Sequence, residues 1–306
     1  MKITIIGYGS QGQRIHSLLR KKFKKISIFH PNKKNSIYSN DLKELKKTDI
    51  AFICSPNNTH LKYINILDDK TYIFCEKPPV NTKLQLKKLS KLIKKKKIYF
   101  NFNERFGEIS KIINKNKKKL GNMQHSNFEI GYKIDKKNLS KSWKGNKKNA
   151  PRGVYEILSI HYIDLINYLF GIKEINNKLK KNSDGIVSSA VTNIISKKNS
   201  IVNIFCSFDT PFIFRKKMIF ENGIIEEDEY SVKFFYNKSS LIKKTKRQKP
   251  LKLISNIKKD YYSRYLNSIK MSVDFFLNHF IKNRYKKRIL QISLQSTGFF
   301  LNGSFK

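Results

Sequence analysis

The sequence has few cysteines and no long apolar run. Its three cysteines, Cys54, Cys75 and Cys206, show neither metal-ligand spacing nor a disulfide framework, so we expect no metal site and a reducing, cytoplasmic setting. No apolar stretch reaches the length needed to cross a bilayer. Met1 leads directly into the first predicted strand, so we expect no signal peptide. These shortages exclude disulfide-rich secreted domains and membrane-spanning proteins.

Acidic residues are also scarce. The chain has 22 Asp and Glu against 64 Lys and Arg, a formal net charge of +42. One interpretation is binding to nucleic acid or a membrane surface. The other is compositional drift, because the excess is mostly lysine, accompanies abundant Asn and Ile, and is spread along the chain. We favour the second interpretation, since no motif indicates a specific nucleic-acid partner. An anionic substrate would still be attracted.

The first fifteen residues combine a buried strand, a glycine turn and a helix. Ile3, Ile5 and Ile6 lie in an apolar run that ends in a G-x-G-x-x-G motif, and a helical pattern follows at once. This order predicts a pyrophosphate site made by backbone N–H groups at a helix N terminus. The alternative is an ordinary strand–helix turn that needs glycine and binds nothing. The predicted loop comprises Gly7, Tyr8, Gly9, Ser10, Gln11 and Gly12.

Further short apolar runs follow at the spacing of a βαβ fold. Strands are predicted at 26–29, 50–54, 72–75 and 98–102, with helical segments between them. This rhythm predicts a parallel sheet with helices on both faces. The polar run that begins at Ser55 follows one of these strands, at the edge where a doubly wound sheet binds its ligand.

The end of the second strand bears on the choice between NAD and NADP. An acidic residue there would bind the ribose 2′-hydroxyl, and a basic residue would accept a 2′-phosphate. The chain has His30, Lys33 and Lys34 at this point and no acid. The pattern favours NADP, although lysine is abundant throughout the chain. His30 is predicted to lie at the cofactor, and the alternative is that it is a solvent-exposed turn residue.

Four motifs in this order, GYGSQG, SPNNTH, CEKP and NFNERF, resemble the glucose-fructose oxidoreductase and inositol dehydrogenase (Gfo/Idh/MocA) family. The later segment PRGVYEILSIHYIDLINYLFG resembles the family's glycine-led helix with its H-x-x-D pair. The resemblance implies an α/β fold, with a Rossmann domain over 1–104 and an α/β domain over 105–306 whose open sheet is mainly antiparallel. It also implies NAD(P)-dependent oxidation or reduction at a sugar or polyol carbon.

The resemblance assigns cofactor-binding roles to two further segments. Ser55, Pro56, Asn57 and His60 are expected along the dinucleotide, and Glu76 is expected near the nicotinamide ribose.

The resemblance also implies the residues of catalysis. Lys77 is the expected catalytic lysine, followed by a cis peptide at Pro78, and His161 is the expected active-site histidine. Arg105 is expected near the substrate, and Asp164, one turn after the histidine, is expected to support its helix.

One position departs from the family pattern, which often carries an aspartate four residues before the histidine. Here that position is Ile157, with Glu156 adjacent. A shift of one residue turns a side chain by about 100° around an α-helix. Three outcomes stay open: Lys77 and His161 suffice, Glu156 reaches in through a distorted helix, or ordinary dehydrogenase activity is lost.

The second half of the chain predicts strands over 186–208 and a hairpin over 218–225 with an Asn-Gly turn. One face of such a sheet needs a cover, so we expect a homodimer or homotetramer through it. Residues 241–252 are predicted to be an exposed, mobile lysine-rich loop, and helices are predicted over 261–281 and 289–300.

We therefore predict an NAD(P)-dependent oxidoreductase of a sugar, nucleotide sugar or polyol, with Lys77 and His161 handling the proton. The alternative is a non-catalytic sensor or scaffold that binds a dinucleotide in the same fold, and Ile157 motivates it.

Overall fold

The computed structural model describes residues 1–32, 38–135, 149–237, 249–282, 287–302 and 304–305. The chain forms two compact units. Among the described residues, the first unit holds 1–102, 149–151 and 270–302, and the second holds 103–135, 152–237, 249–269 and 304–305.

The strands of the first unit form a parallel sheet in the order β3-β2-β1-β4-β5-β6. They are β1 (Ile3–Ile6), β2 (Ile26–Phe29), β3 (Tyr38–Ser39), β4 (Ile50–Ile53), β5 (Tyr72–Glu76) and β6 (Lys97–Asn101). Every residue of β1 and β4 is buried, as expected for central strands covered on both faces. The strand order reverses between these two strands, so their carboxyl ends mark the ligand-binding edge of a doubly wound sheet.

The α-helices of the described chain are α1 (Ser10–Leu19), α2 (Leu42–Lys46), α3 (His60–Ile66), α4 (Lys83–Leu92), α5 (Glu108–Leu120), α6 (Ile160–Phe170), α7 (Tyr261–Phe275) and α8 (Lys287–Asn302). The Asp41 side chain caps α2 by accepting from the Lys43 N–H, and the Thr82 side chain caps α4 in the same way. The sequence places all of 105–306 in one domain. In the structure residues 270–302 belong to the first unit, because α8 packs against α4 and β6.

An aromatic cluster fills the core of the first unit. The Phe276 ring is fully buried and lies 5.4 Å from the Phe74 ring, 5.6 Å from the Phe52 ring and 5.9 Å from the Tyr99 ring. Phe276 begins a π-helical turn, Phe276–Phe280, that continues α7. Phe276 and Phe280, both on the helix predicted over 261–281, are therefore part of the core.

The second unit is built on a sheet in the order β14-β13-β12-β11-β7-β10-β9-β8-β15. Its strands are β7 (Met123–Gly131), β8 (Ile172–Lys181), β9 (Val187–Ser196), β10 (Ile201–Ser207), β11 (Ile213–Phe220), β12 (Gly223–Glu227), β13 (Ser231–Tyr236), β14 (Lys252–Lys258) and β15 (Ser304–Phe305). The β7–β10 and β8–β15 pairs are parallel and the other pairs are antiparallel. A mainly antiparallel second sheet is therefore confirmed.

The predicted hairpin is also confirmed, since β11 and β12 flank the Asn222-Gly223 corner. Strands β7, β8, β13 and β14 were not predicted. Lys252 begins β14, so the predicted loop over 241–252 is wrong at its end, and residues 241–248 lie outside the described part of the chain. No helix in the described part of the chain is both long enough and apolar enough to span a bilayer.

Candidate functional site

The glycine turn after β1 needs glycine at two positions. Gly7 has a φ of +89°, and a Cβ there would lie 2.7 Å from the backbone of Ser55 at the end of β4. A Cβ on Gly12 would lie 2.2 Å from the Gly7 carbonyl oxygen. These two glycines let β1, β4 and α1 approach one another closely.

Gly9 differs, because it is not required by the fold of the turn. A Cβ added there meets nothing within 4 Å, so the position opens onto free space. Gly9 is the N-cap of α1; in the described structure no side chain caps this helix and no acidic residue lies in its first turn. The N–H groups of the first turn and the open space fit a pyrophosphate, which these groups would hold.

Gln11 and Glu76 of the predicted cofactor site lie together. Glu76 Oε1 accepts hydrogen bonds from Gln11 Nε2 at 2.9 Å and from Asn101 Nδ2 at 2.7 Å. Ser272 Oγ in turn donates to Asn101 Oδ1 at 2.7 Å. Burial raises the pKa of the Glu76 carboxyl, while the hydrogen bonds from Asn101 and Gln11 act in the opposite direction. The carboxyl is thus fixed between the glycine turn and the ends of β5 and β6.

Asn101 and Ser272 are not among the site residues predicted from the sequence. A signal was available for Asn101, since a polar residue at the carboxyl end of a parallel strand lies at the ligand-binding edge. Ser272 lies on α7, 171 residues further along the chain, and no local pattern connects it to this edge.

The turn after β4 is held by hydroxyl and imidazole contacts. Ser55 Oγ lies 2.6 Å from Thr59 Oγ1, and Thr59 Oγ1 donates to the Pro56 carbonyl at 2.7 Å. Asn57 is buried within the turn. This arrangement places Ser55, Pro56 and Asn57 at the end of β4, beside the glycine turn. Their contacts with a dinucleotide stay predictions.

His60 follows this turn and is fully buried. Its Nε2 lies 2.9 Å from the Ser55 carbonyl and its Nδ1 lies 3.0 Å from the Pro78 carbonyl. Burial lowers the pKa of His60 to about 4, against the effect of these two backbone contacts. The geometry favours a role in joining the turns after β4 and β5; direct contact with the dinucleotide stays a prediction.

Lys77 directly follows β5 and is half-buried. The peptide bond from Lys77 to Pro78 is cis, as the family resemblance implies. Lys77 therefore lies at the carboxyl end of a strand of the parallel sheet, close in sequence to the fixed Glu76 carboxyl. This is the edge at which a nicotinamide ring is expected.

Aromatic and imidazole rings gather where the adenosine end of a dinucleotide is expected. Tyr8 Oη lies 2.7 Å from His16 Nδ1, and the Tyr38 ring lies 6.1 Å from the Tyr8 ring and 5.7 Å from the His30 ring. His30 follows β2 and is half-buried. The predicted Lys33 and Lys34 lie outside the described residues.

In the second unit, Arg105 and Asp164 form a buried ion pair. Arg105 Nε donates to Asp164 Oδ2 at 2.8 Å, and Arg105 Nη2 donates to Oδ1 at 2.6 Å. The side chains are 3% and 0% exposed. This bidentate pair joins the turn Asn103–Phe106 to α6, the helix that carries His161. The geometry supports the expected role of Asp164 in holding that helix, and a substrate contact by Arg105 stays a prediction.

The segment before α6 is a π-helical turn, Tyr155–Ser159. The Ile160 N–H donates to the Tyr155 carbonyl, five residues back. Glu156 is fully buried in this turn, its Oε2 accepts from the Arg152 backbone N–H at 3.3 Å, and His161 is half-buried in the first turn of α6. The helix that carries His161 therefore begins with a distorted turn. That Glu156 reaches the active site through this distortion stays a prediction.

The part of the chain that the structure describes contains no candidate metal site. Within the described ranges, no group of three or more His, Cys, Asp or Glu side chains is placed to hold a metal ion.

Residues 1–103 match the family model described as "Oxidoreductase family, NAD-binding Rossmann fold", the Gfo/Idh/MocA family. Residues 1–103 belong to the Gfo/Idh/MocA oxidoreductases. This Gfo/Idh/MocA domain contains the glycine turn, the turn after β4, Glu76 and Lys77. No curated protein matches the chain by sequence.

Solved structures of the same fold cover nearly the whole chain. A levoglucosan dehydrogenase in complex with NADH has a TM-score of 0.78 at 14% identity, covering 98% of this chain and 95% of that one. The UDP-N-acetylglucosamine 3-dehydrogenase GnnA from Acidithiobacillus ferrooxidans has a TM-score of 0.78 at 13% identity, covering 99% and 96%. A biliverdin reductase from Synechocystis sp. PCC 6803 in complex with biliverdin and NADP⁺ has a TM-score of 0.73 at 12% identity, covering 97% and 96%. At these identities the likeness shows the fold of the second unit together with the Gfo/Idh/MocA domain, and no more.

Proposed function

We propose that the protein is an NAD(P)-dependent oxidoreductase that transfers hydride to or from a hydroxyl-bearing carbon of a sugar, nucleotide sugar or polyol. One observation carries the cofactor part: the open space at Gly9 before the uncapped N terminus of α1, within a family domain that binds NAD. The substrate class rests on the family and on two neighbours of the same fold, the levoglucosan and UDP-N-acetylglucosamine dehydrogenases.

For this reaction the protein must bind the cofactor, orient the substrate and transfer one proton. When bound, NAD(P) supplies the hydride acceptor or donor. In the oxidative direction the carbinol carbon loses a hydride, its hydroxyl loses a proton, and the C–O bond becomes C=O. We assign this proton to Lys77 and His161, which are both half-buried.

The charge of the chain favours an anionic substrate. A net charge of +42 raises the local concentration of anions around the protein, and a nucleotide sugar or an acidic sugar carries the matching charge. We also propose a cytoplasmic protein that works as a homodimer or homotetramer through the sheet of the second unit. Turnover of neutral polyols alone would count against the anionic substrate.

The experiment is a titration of the purified protein with NADH and NADPH, followed by nicotinamide fluorescence. Gly9→Asp places a carboxylate in the open space and should abolish saturable binding without unfolding the protein. The control is Gly298→Ala on α8, because a Cβ there makes only ordinary contact with Leu86 at 3.8 Å.

Turnover is then tested on a panel of sugars, nucleotide sugars and polyols. Lys77→Ala should abolish turnover and leave dinucleotide binding measurable. A folded wild-type protein that binds neither dinucleotide would overturn the proposal. Saturable binding without turnover of any member of the panel would favour a dinucleotide sensor.

A further inference from the structure

The exposed aromatic side chains lie in one region of the second unit. Over residues 1–32, 38–135, 149–237, 249–282 and 287–302, the exposed Phe and Tyr side chains are Phe212, Tyr230 and Tyr262, at 54%, 77% and 51% exposure. All other Phe and Tyr side chains in these ranges are buried or half-buried. Aromatic rings left in water lose the free energy of burial, and a group of them marks a surface that binds a ligand or a partner.

Two of these side chains belong to an aromatic shelf, which we define as Phe212, Tyr261, Tyr262 and Tyr265. The Tyr261 ring lies 5.8 Å from the Phe212 ring and stacks on the Tyr265 ring, with the centroids 6.2 Å apart. The Tyr262 ring lies 6.3 Å from the Tyr265 ring. The Tyr261 ring also lies 4.2 Å from the buried Phe214 ring, so the shelf rests on the core of the second unit.

Backbone hydrogen bonds hold the segments of the shelf together. Phe212 directly precedes β11, and the other three rings lie in the first turns of α7. The Glu229 carbonyl accepts from the Tyr261 N–H at 2.7 Å, and Glu229 Oε1 accepts from the Phe214 N–H at 3.0 Å. A ligand that stacks on rings already held in place loses little free energy to the ordering of side chains.

Two lysines adjoin the shelf. Lys258 and Lys259 are exposed, and in the described part of the chain neither ammonium group has an ion-pair or hydrogen-bond partner. The Lys259 N–H donates to the Tyr230 carbonyl at 3.0 Å, which joins this segment to the loop that carries the exposed Tyr230 ring. The nearby Asp228 and Asp260 carboxylates each accept hydrogen bonds from backbone N–H groups. The two ammonium groups can therefore attract an anionic ligand to the shelf.

A short series of contacts links the shelf to the helix that carries His161. Lys216 Nζ lies 4.6 Å from the centre of the Phe214 ring and 5.1 Å from the centre of the Tyr162 ring. The Tyr162 ring in turn lies 6.4 Å from the His161 ring. Few side chains therefore separate the shelf from the histidine within the second unit. In a nucleoside diphosphate sugar, a ribose and two phosphates separate the base from the sugar, so the two ends can occupy two sites separated in this way.

We propose that the aromatic shelf is the subsite for the base of a nucleoside diphosphate sugar, and that Lys258 and Lys259 bind its diphosphate. This inference rests on the proposed function and narrows its substrate to one of the classes named there. Every base has a flat face that stacks on an aromatic ring, so the shelf indicates the class of substrate and not the identity of the base. A polyol has neither a flat face for the rings nor a charge for the lysines.

The first test is equilibrium dialysis with UDP, GDP and dTDP, in saturating NADH or NADPH so that these probes do not occupy the dinucleotide site. Phe212→Ala and Tyr262→Ala should each weaken binding of the tightest probe by about fivefold to a hundredfold, because each removes a stacking ring. Tyr262→Phe keeps the ring and should keep most of the affinity. Leu253→Ala on β14 is the matched control, since Leu253 is 53% exposed in the same unit and lies outside the shelf.

The second test separates the two lysines from the net charge of the chain. Lys258→Gln with Lys259→Gln should weaken binding of the nucleoside diphosphate and reduce its dependence on salt, and should leave binding of the free nucleoside unchanged. The matched control is Lys178→Gln with Lys180→Gln, which removes the same charge from exposed lysines of β8 in the same sheet. Equal weakening by the two double variants would show that net charge, and not this pair, attracts the diphosphate.

Three results would overturn the subsite. Wild-type protein could bind none of the three probes, or Phe212→Ala and Tyr262→Ala could leave their affinities unchanged. The same two variants could instead lower the association state in sedimentation velocity, which would show that the shelf is a contact between copies of the chain.

The last test is made on turnover of nucleotide sugars. Phe212→Ala and Tyr262→Ala should raise KM for a nucleotide sugar by a factor similar to the loss of nucleotide affinity, and should leave kcat near its original value. A loss confined to kcat would contradict a role in binding the base. Absence of turnover in the wild-type protein would defeat the proposed function, whereas loss of nucleotide binding in the shelf variants would still establish the subsite.

Discussion

The His60 imidazole joins two turns of the Gfo/Idh/MocA domain, and its burial gives it a measurable effect on stability. Both ring nitrogens lie near backbone carbonyls, and the ring has no exposed surface. From sequence alone, a histidine that follows a strand can have either of two roles. It can contact a ligand, or it can hold two turns of the protein together. For His60, only the positions of the Ser55 and Pro78 carbonyls in the structure favour the role of joining two turns.

The lowered pKa of His60 predicts that the folded protein loses stability in mild acid. Its pKa is lowered to about 4 in the folded protein, against about 6.5 when unfolded. Between these values the unfolded state binds more protons, so the stabilisation is complete above pH 6.5 and is lost as the pH falls towards 4. The free energy of unfolding should decrease by about 3 kcal/mol over this window.

Urea denaturation at pH 7, 6, 5 and 4 measures this decrease. His60→Gln should be less stable at pH 7 and should show a flatter dependence on pH. His279→Gln is the control, because His279 is exposed in the same unit. An equal slope in the wild type and in His60→Gln would mean that other groups cause the acid sensitivity.

At the scale of elements, the strands and helices of the first unit were predictable, because each has a local signal. The strand predicted at the start of the chain and the strand predicted at 26–29 match the structure within a residue or two. The irregular turns were not predictable in this way. The π turn at Tyr155–Ser159 packs against β9 and β10, which are distant in sequence, and the apolar pattern of the sequence does not mark it.

Strand β11 shows another limit of local patterns. Lys216 and Lys217 are adjacent, and the abundance of lysine hides any difference between them in sequence. Lys216 Nζ is buried between Glu104 Oε2 at 2.7 Å and Glu227 Oε2 at 3.2 Å, and the Glu227 carboxylate also accepts from Arg264 Nε at 3.0 Å. Lys217 points to the other face and is 51% exposed, 2.9 Å from Glu226.

Two neighbouring substitutions on this strand should therefore destabilise the protein by very different amounts. Lys216→Met removes the shared cation and leaves buried carboxylates without it, so unfolding should become easier by about 3 to 5 kcal/mol. Lys217→Met breaks an exposed pair and should cost less than about 1 kcal/mol. Denaturant unfolding of both variants at one pH tests the difference. Similar losses in the two variants would contradict the buried network.

At the scale of the whole molecule, the sequence predicted a Rossmann unit and a second sheet, but not which residues complete each unit. Residues 270–302 return to the first unit, and the contact between Ser272 and Asn101 depends on that return. Such long-range placement has no local signal, because neither residue type nor spacing records which distant strand a helix meets.

The outer face of the second sheet carries the last prediction. Cross-strand register aligns Ile195, Ile201, His125, Ile219 and Ile224 in one row across β9, β10, β7, β11 and β12, and all of them keep exposed surface. Four of these five residues are isoleucines, and leaving them exposed to water loses the favourable free energy of burying apolar surface. Packing against the same sheet of a second copy of the chain would bury this row. We therefore expect a dimer or tetramer in solution.

Sedimentation velocity with Ile201→Asp tests this association. Ile201 is 52% exposed in the single chain, so the substitution should leave the fold intact, yet it would place a charge inside the contact. The dissociation constant should rise at least about tenfold, equivalent to about 1.4 kcal/mol. Leu84→Asp on α4 is the control, since Leu84 is 64% exposed and belongs to the first unit rather than to the second sheet. A monomeric wild type, or equal weakening by both substitutions, would show that this face is not the interface.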